Sequence, residues 1–292
     1  MGFLAHARGA PAVLPERTVA TAATVALLQA AQPRALRRTA ALPAAWGSPF
    51  SLGSLKLSVH PAGHVLGSAQ LRCVAADVDL VYAADLGPAG KRQSATAEQR
   101  EQLHCETLVL PALYGSPRFV FPPREELLEQ ARAFVEGALA RGQTPVLIAA
   151  AVGAAQDLVR HLGDRGRTLR LHPTAFKACE VYVAQGVALK GFVPLSAEGD
   201  VVVVPQTARL DRLELEKPAI CVLSGRALET GEGIPLSDHA GFDELVEYAV
   251  HSEASRIFCI HGHAEELAQA LRDKGLNALA LREHHQLQLP GF

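Results

Sequence analysis

The sequence reads as an α/β protein on three grounds. The run over 55–59 alternates apolar and polar residues with a period of two, as a half-buried strand does, and heads a β-rich block that reaches to 110. From Tyr114 onward, strand-like and helix-like segments alternate at short spacing, the pattern of βαβ units around a parallel sheet. The composition is 49% apolar and 20% charged over 292 residues, enough chain to bury a sizeable core. Such a composition excludes a disordered chain, a collagen-like fibre and a small disulfide scaffold.

The first fifty residues are Ala-rich; 18–20 read as a short strand and 22–31 as a helix. The run Leu-Lys-Leu-Ser-Val over 55–59 alternates cleanly and predicts a strand. Second and third strands are expected over 70–75 and 78–83, a polar loop over 87–100, and a strand again over 107–110. Pro122 and Pro123 precede an amphipathic helix over 124–141, with Leu127, Leu128, Ala131, Phe134, Val135, Ala138 and Leu139 on one stripe and Gly142 as its stop. Strands follow over 145–151, 168–171 and 201–204, with helices over 154–162 and 174–185. The last seventy residues repeat the theme: strands at 220–223, 257–260 and 278–281, helices at 243–251 and 264–272.

The net charge is −2 with 12 histidines counted as neutral, so no bulk positive charge advertises nucleic-acid binding. A nucleic acid would have to be held by a local basic groove or through a metal. No apolar run approaches the roughly 20 residues a bilayer needs, and the N-terminus lacks the order of a signal peptide. Cys73, Cys105, Cys179, Cys221 and Cys259 are scattered with no C-x-x-C pair, which reads as buried free thiols. The expectation is a cytoplasmic protein with no membrane partner.

Four short loops carry the residues capable of chemistry. His60 and His64 flank a strand end, with Gly63 and Gly67 permitting close backbone approach; they suit metal ligation or proton transfer, and equally an ordinary turn. Asp85 stands at the mouth of an apolar strand, where a metal-bridging carboxylate, a general base or a turn residue would sit. Ser237 or Asp238 could cap the following helix, or Asp238 could orient His239 as a general acid. His261 and His263 follow the strand over 257–260.

Taken as a series, "HPAGHVLGSA", "DLG", "LSDHA" and "HGH" resemble the metallo-β-lactamase fold nucleases of the β-CASP group. The likeness is greatest to the bacterial ligase-associated DNA exonuclease branch, itself similar to the nuclease of mRNA 3′-end processing. The strings "CETLVLPALYG", "ACEVYVAQGVAL" and "VLSGRALETGEG" support it, and it runs over most of the chain. The resemblance implies an αββα sandwich, N-terminally shortened, over 1–112 and 221–292, with an α/β β-CASP subdomain inserted over 113–220. It implies that His64 completes one zinc site, Asp85 bridges two, His261 completes the other, and His239 assists proton transfer to the leaving group. The chemistry implied is phosphodiester hydrolysis by a metal-bound hydroxide.

This chain departs from that pattern at its densest loop. Where the family carries H-x-H-x-D-H, residues 6–11 read His-Ala-Arg-Gly-Ala-Pro: His6 matches, and the other ligand positions are Arg8, Ala10 and Pro11. A protonated guanidinium and two side chains without donors cannot bind zinc. An acidic family residue is likewise replaced by Pro111. The remaining donors are His64, Asp85, His261 and His6, which allows one zinc at most, with manganese as the alternative. Arg8 is expected to put its charge in the place of a metal, against Asp85. Arg8, Ser68, Lys91 and Arg92 are candidate nucleic-acid contacts. Glu283, His284 and His285 read as an exposed polar edge, with a supplementary ligand set as the other option. Tyr114 is expected to pack at the junction of the two parts. Two functions follow: a catalytically impaired subunit in DNA repair or RNA processing that binds single-stranded nucleic acid or an active paralogue, or a working exonuclease with one metal or a rearranged site. The ligand arithmetic favours the first.

Overall fold

A computed structural model describes residues 1–281, so Glu283, His284 and His285 lie outside the described residues. The fold is α/β and contains three sheets. At the N-terminus, β1 (Gly2–Phe3), β2 (Arg17–Ala20) and β3 (Ala40–Pro43) form a parallel sheet in that order, and α1 (Ala22–Ala31) connects the second to the third. Thr21 caps α1 by accepting the Thr24 N–H, satisfying one of the helix's orphan donors.

The second sheet begins with β4 (Phe50–Leu52), β5 (Leu55–Pro61), β6 (Ala69–Ala75) and β7 (Val78–Tyr82), an antiparallel meander. It continues in parallel through β8 (Thr107–Pro111), and then the chain leaves. The excursion builds a separate, all-parallel sheet from α2 (Arg124–Ala140), β9 (Thr144–Ile148), α3 (Ala154–Gly163), β10 (Leu169–Leu171), α4 (Pro173–Ala184), β11 (Phe192–Pro194), β12 (Val201–Val204) and β13 (Pro218–Val222), in strand order β11-β10-β12-β9-β13. After a short α5 (Ala227–Thr230) come α6 (Phe242–His251), β14 (Arg256–Ile260), α7 (Ala264–Asp273) and β15 (Ala278–Ala280). β14 returns beside β8, pairing Arg256 with Thr107, and completes the sheet in the order β15-β14-β8-β7-β6-β5-β4. The expected join at 220/221 falls inside β13, which belongs wholly to the five-stranded sheet.

Separate cores explain the separate sheets. Leu108, Leu110, Ile257, Cys259, Tyr248, Leu267 and Leu271 pack between the larger sheet and α6 and α7. Leu127, Val135, Leu147, Leu158, Leu169 and Val201 pack between the parallel sheet and its helices. All four valines of β12 are fully buried, as expected of an interior parallel strand covered on both faces. Four strands were not foreseen: β1, β3, β4 and β11 are two to four residues long, too short for periodicity to register. Cys105, Cys179, Cys221 and Cys259 are buried and Cys73 is half-buried, all as free thiols; burial pushes Cys179 and Cys259 up to about 12. No helix of the described residues is long and apolar enough to cross a membrane.

Candidate functional site

The site is assembled by three strand ends. His6 follows β1 and is fixed beside the β5–β6 loop by the Ala69 N–H, which donates to the Ala5 carbonyl at 2.8 Å. His64 lies within that loop and is 1% exposed. Its local frame is built by neighbours: the buried Ser68 Oγ accepts from the His64 and Val65 N–H groups at 2.9 and 3.1 Å. Gly67, at φ +76°, donates its N–H to the Glu98 carboxylate, and its carbonyl accepts from Thr21 and Thr24. A Cβ there would come within 2.7 Å of Thr21 Oγ1, so only glycine fits. Asp85 follows β7 behind Ala84, a non-glycine residue at φ +54°. That strained turn aims the carboxylate inward.

These elements bring together His6, His64 and Asp85, whose ligand atoms all lie within 4.8 Å of one another. His6 Nε2 is 3.0 Å from Asp85 Oδ2. The rings of His6 and His64 meet edge-on at 4.9 Å, and those of His64 and His239 lie 4.2 Å apart. His64 Nδ1 donates to the Asp238 carbonyl at 2.9 Å, which leaves the lone pair on Nε2; that buried nitrogen has no protein partner. Burial, with the nearby cations, drives the His64 pKa well down, and burial takes His239 to about 4. Burial also pushes the Asp85 carboxyl up, but the His6 hydrogen bond and the surrounding imidazoles outweigh it and hold the group ionised. Two imidazoles and one carboxylate within this distance are a donor set that fits a single zinc.

Arg8 does not meet Asp85. Its Nη1 donates instead to Asp238 Oδ2 at 3.0 Å, because Asp85 is already taken by His6. Asp238 is buried and heavily bound: Oδ1 accepts from Arg124 Nη2 at 2.6 Å, and Oδ2 also accepts the Ala154 N–H at the start of α3. Arg124 reaches the Ser237 carbonyl at 3.0 Å and Asp157 at 2.5 Å, and Asp157 in turn accepts from Ser94 and Thr96. Two guanidinium groups and two carboxylates thus form a quartet in which Arg124, Asp157 and Asp238 are buried and Arg8 joins from the cleft, 35% exposed. Burial pushes the Asp238 carboxyl up, but Arg124 and Arg8 outweigh it and hold the group below the usual carboxylate range. Asp238 therefore neither caps α6, whose start is held by Glu244 on the Gly241 N–H, nor orients His239. A Cβ on Gly153 would meet Asp238 Oδ2 at 2.4 Å, so this glycine at φ +99° is required by the quartet.

The other expected residues fall elsewhere. His261 is exposed, sits at φ +60°, and lines a separate depression of about 530 Å³ with His263, Glu265 and Glu266, outside the His6–His64–Asp85 group. His60 bonds Ser58 and Glu101. Ser68 is occupied inside its loop, and Arg92 is paired with Glu244 over the Phe121 ring, so neither is free for a nucleic acid. Lys91 is exposed but borders a different depression, with Arg160 and His161. Tyr114 packs against Phe119, Phe121 and the His239 ring. A second donor group, Glu125, Glu129 and His161, is already filled by Arg165.

Beside the histidines runs a cleft of about 550 Å³, with Arg8, Tyr114 and His239 on one wall and Gln206, Thr207 and Ser224 on the other. The second wall consists of the residues just past the C-terminal ends of β12 and β13, the edge of an open parallel sheet where ligands characteristically bind. Sequence reasoning missed Arg124 and Asp157 altogether. The only signal was an arginine placed directly after Pro-Pro at a helix start, where a cation opposes the helix dipole unless carboxylates meet it.

The chain is similar to several characterised or named proteins. It is 30% identical to a probable DNA ligase of Opitutus terrae, over 98% of this chain and 29% of that one. It is 30% identical to transcription termination factor FttA of a Lokiarchaeum over 40% of this chain and 19% of that one. A Neurospora crassa endoribonuclease, ysh-1, matches at 25% over 41% of this chain and 14% of its own. The chain thus spans less than a third of the length of each of these relatives. Its fold is shared with a protein of unknown function from Enterococcus faecalis, at a TM-score of 0.64, 13% identity, and coverage of 97% of this chain and 79% of that one. No family model matches the sequence.

Proposed function

We propose that this chain is a DNA-strand-binding member of the metallo-β-lactamase fold β-CASP group in which hydrolysis is impaired, acting on single-stranded ends. The observation that carries the reading is Arg8: a fixed guanidinium, held by Asp238, stands in the cleft beside His6, His64 and Asp85. Only Nη1 of Arg8 is bound to Asp238, and its side chain is 35% exposed where Arg92 is 11%, so the remaining guanidinium donors are open to a phosphodiester in the cleft and the charge disfavours a second divalent ion. The named relatives are a ligase, a termination factor and an endoribonuclease, all of them nucleic-acid proteins. The match to the ligase runs along nearly the whole chain, which favours DNA and a setting of strand joining or repair. His6, His64 and Asp85 would hold at most one zinc or manganese, and such an ion would supply charge neutralisation and an activated water.

A second reading, a one-metal hydrolase, is favoured by the unpartnered Nε2 of His64, oriented as a ligand nitrogen should be. One experiment separates the two. Metal content per chain is measured, and nucleotide release from single-stranded DNA and RNA is followed with and without added manganese. The expected result is binding without release and no more than one metal per chain. Release abolished by Asp85→Ala, or two metals per chain, would overturn the impaired reading.

A further inference from the structure

The turn segment between α1 and β3 carries a feature that the cleft does not explain. Three arginines stand within five residues, Arg34, Arg37 and Arg38, and all are exposed. Among the described residues none of them pairs with a carboxylate or makes a side-chain hydrogen bond. Seven arginines elsewhere, Arg72, Arg118, Arg132, Arg165, Arg167, Arg209 and Arg256, meet acidic partners, and others such as Arg160 and Arg170 donate to carbonyls. An unneutralised cluster in a chain of net charge −2 is therefore a local departure.

The segment is a built platform. Its turns are closed by Ala35 N–H to the Gln32 carbonyl at 2.9 Å and by Arg37 N–H to the Arg34 carbonyl at 3.3 Å. Ala35, 6% exposed, and Leu36 fasten it to a small core containing Leu27, Leu28 and Tyr182. The apolar residues point in and the three guanidinium groups point out. Its position matters as much as its charge. Ala31 and Gln32, the last residue and the C-cap of α1, line the cleft that holds Arg8, so Arg34 is only two residues beyond the cleft wall.

We infer that residues 32–39 form a phosphate track, on which Arg34, Arg37 and Arg38 hold the backbone of a single strand continuing out of the cleft. The ligand class is a single-stranded polyanion, read by charge and not by base. This inference rests on the nucleic-acid reading above and extends it from a strand end to the strand behind it. A guanidinium matches a phosphate with two parallel donors, and binding releases condensed counterions, which makes the contribution measurable through salt.

The test compares two oligonucleotides by fluorescence anisotropy, a 4-mer able to occupy the cleft alone and a 16-mer able to reach the track. In the Arg34→Glu/Arg37→Glu/Arg38→Glu protein the 16-mer is expected to bind at least tenfold more weakly. Three lost contacts should lower the slope of log affinity against log salt by about 2. The 4-mer should change less than twofold. A variant with Lys56→Glu, Lys217→Glu and Lys274→Glu carries the same change in net charge at exposed positions elsewhere and should leave both affinities near the starting values. If charge reversal unfolds the segment, Arg34→Gln/Arg37→Gln/Arg38→Gln provides the same comparison. A 16-mer that binds no tighter than the 4-mer, or binds both triple variants equally, overturns the track while leaving the cleft reading intact. A starting protein that binds neither oligonucleotide overturns both.

Discussion

At the scale of single residues, the outcome is decided by which carboxylate each cation reaches. Arg8 takes Asp238, which leaves Asp85 to His6 and keeps a three-donor group together. Replacing the guanidinium by a donor should therefore change metal binding directly. Arg8→His is expected to tighten zinc binding at least tenfold in calorimetric titration, since it removes a repelling charge and adds an imidazole. No gain would show that Arg8 is not what limits the site. His239 makes a pH prediction. In metal-stripped protein its pKa sits at about 4, against 6.5 for the free side chain. On lowering the pH the unfolded chain takes up that proton first, so the contribution to stability is complete above about 6.5 and lost toward 4. His239→Gln should flatten the pH dependence of unfolding across this window, measured by urea titration at several pH values. The same loop depends on Ser68: Ser68→Ala strands two buried N–H groups and should cost about 1–3 kcal/mol, seen as a lower urea midpoint.

At the scale of elements, Arg124 joins pieces distant in the chain. It opens α2, yet its side chain ends on Asp157 of α3 and on Asp238 before α6. The ion pairs, and not the helix, account for an arginine at that position. Removing it leaves two buried carboxylates short of a partner, so Arg124→Ala should destabilise the protein by about 3–5 kcal/mol. Arg124→Lys should recover part of this, since one ammonium cannot span both acids. A loss below 1 kcal/mol in chemical denaturation would mean that the quartet contributes little. The elements themselves were mostly legible. Helices α1, α2, α3, α6 and α7 and strands β5, β6, β8, β12 and β14 follow from periodicity and composition, because each buries one face or all of a short apolar run. β1 and β3 were not legible: their reason for being strands is pairing with β2, in registers such as Arg17 opposite Ala40.

At the scale of the whole molecule, two cores served by separate sheets are tied together by the quartet and by the cleft between its two walls. The buried thiols report on both, with Cys105 and Cys259 in one and Cys179 and Cys221 in the other. In native buffer a thiol reagent should label Cys73 well before the rest, since a buried thiol held near 12 presents almost no thiolate. With denaturant, the four buried thiols should become reactive at one midpoint, because unfolding either core exposes the charges that the other side neutralises. Two separate midpoints would show the units to be independent.

The amino-acid sequence alone determined the α/β class, most elements and the scarcity of metal donors, because each of these is written in local spacing or in the identity of single residues. It also supplied His6, His64 and Asp85. Only the tertiary structure decided that these three converge while His261 stands apart, that Arg8 turns to Asp238, and that Arg124 and Asp157 complete the arrangement. Charge pairing in a buried site depends on which groups compete at a few ångströms, and such competition has no signature along the chain.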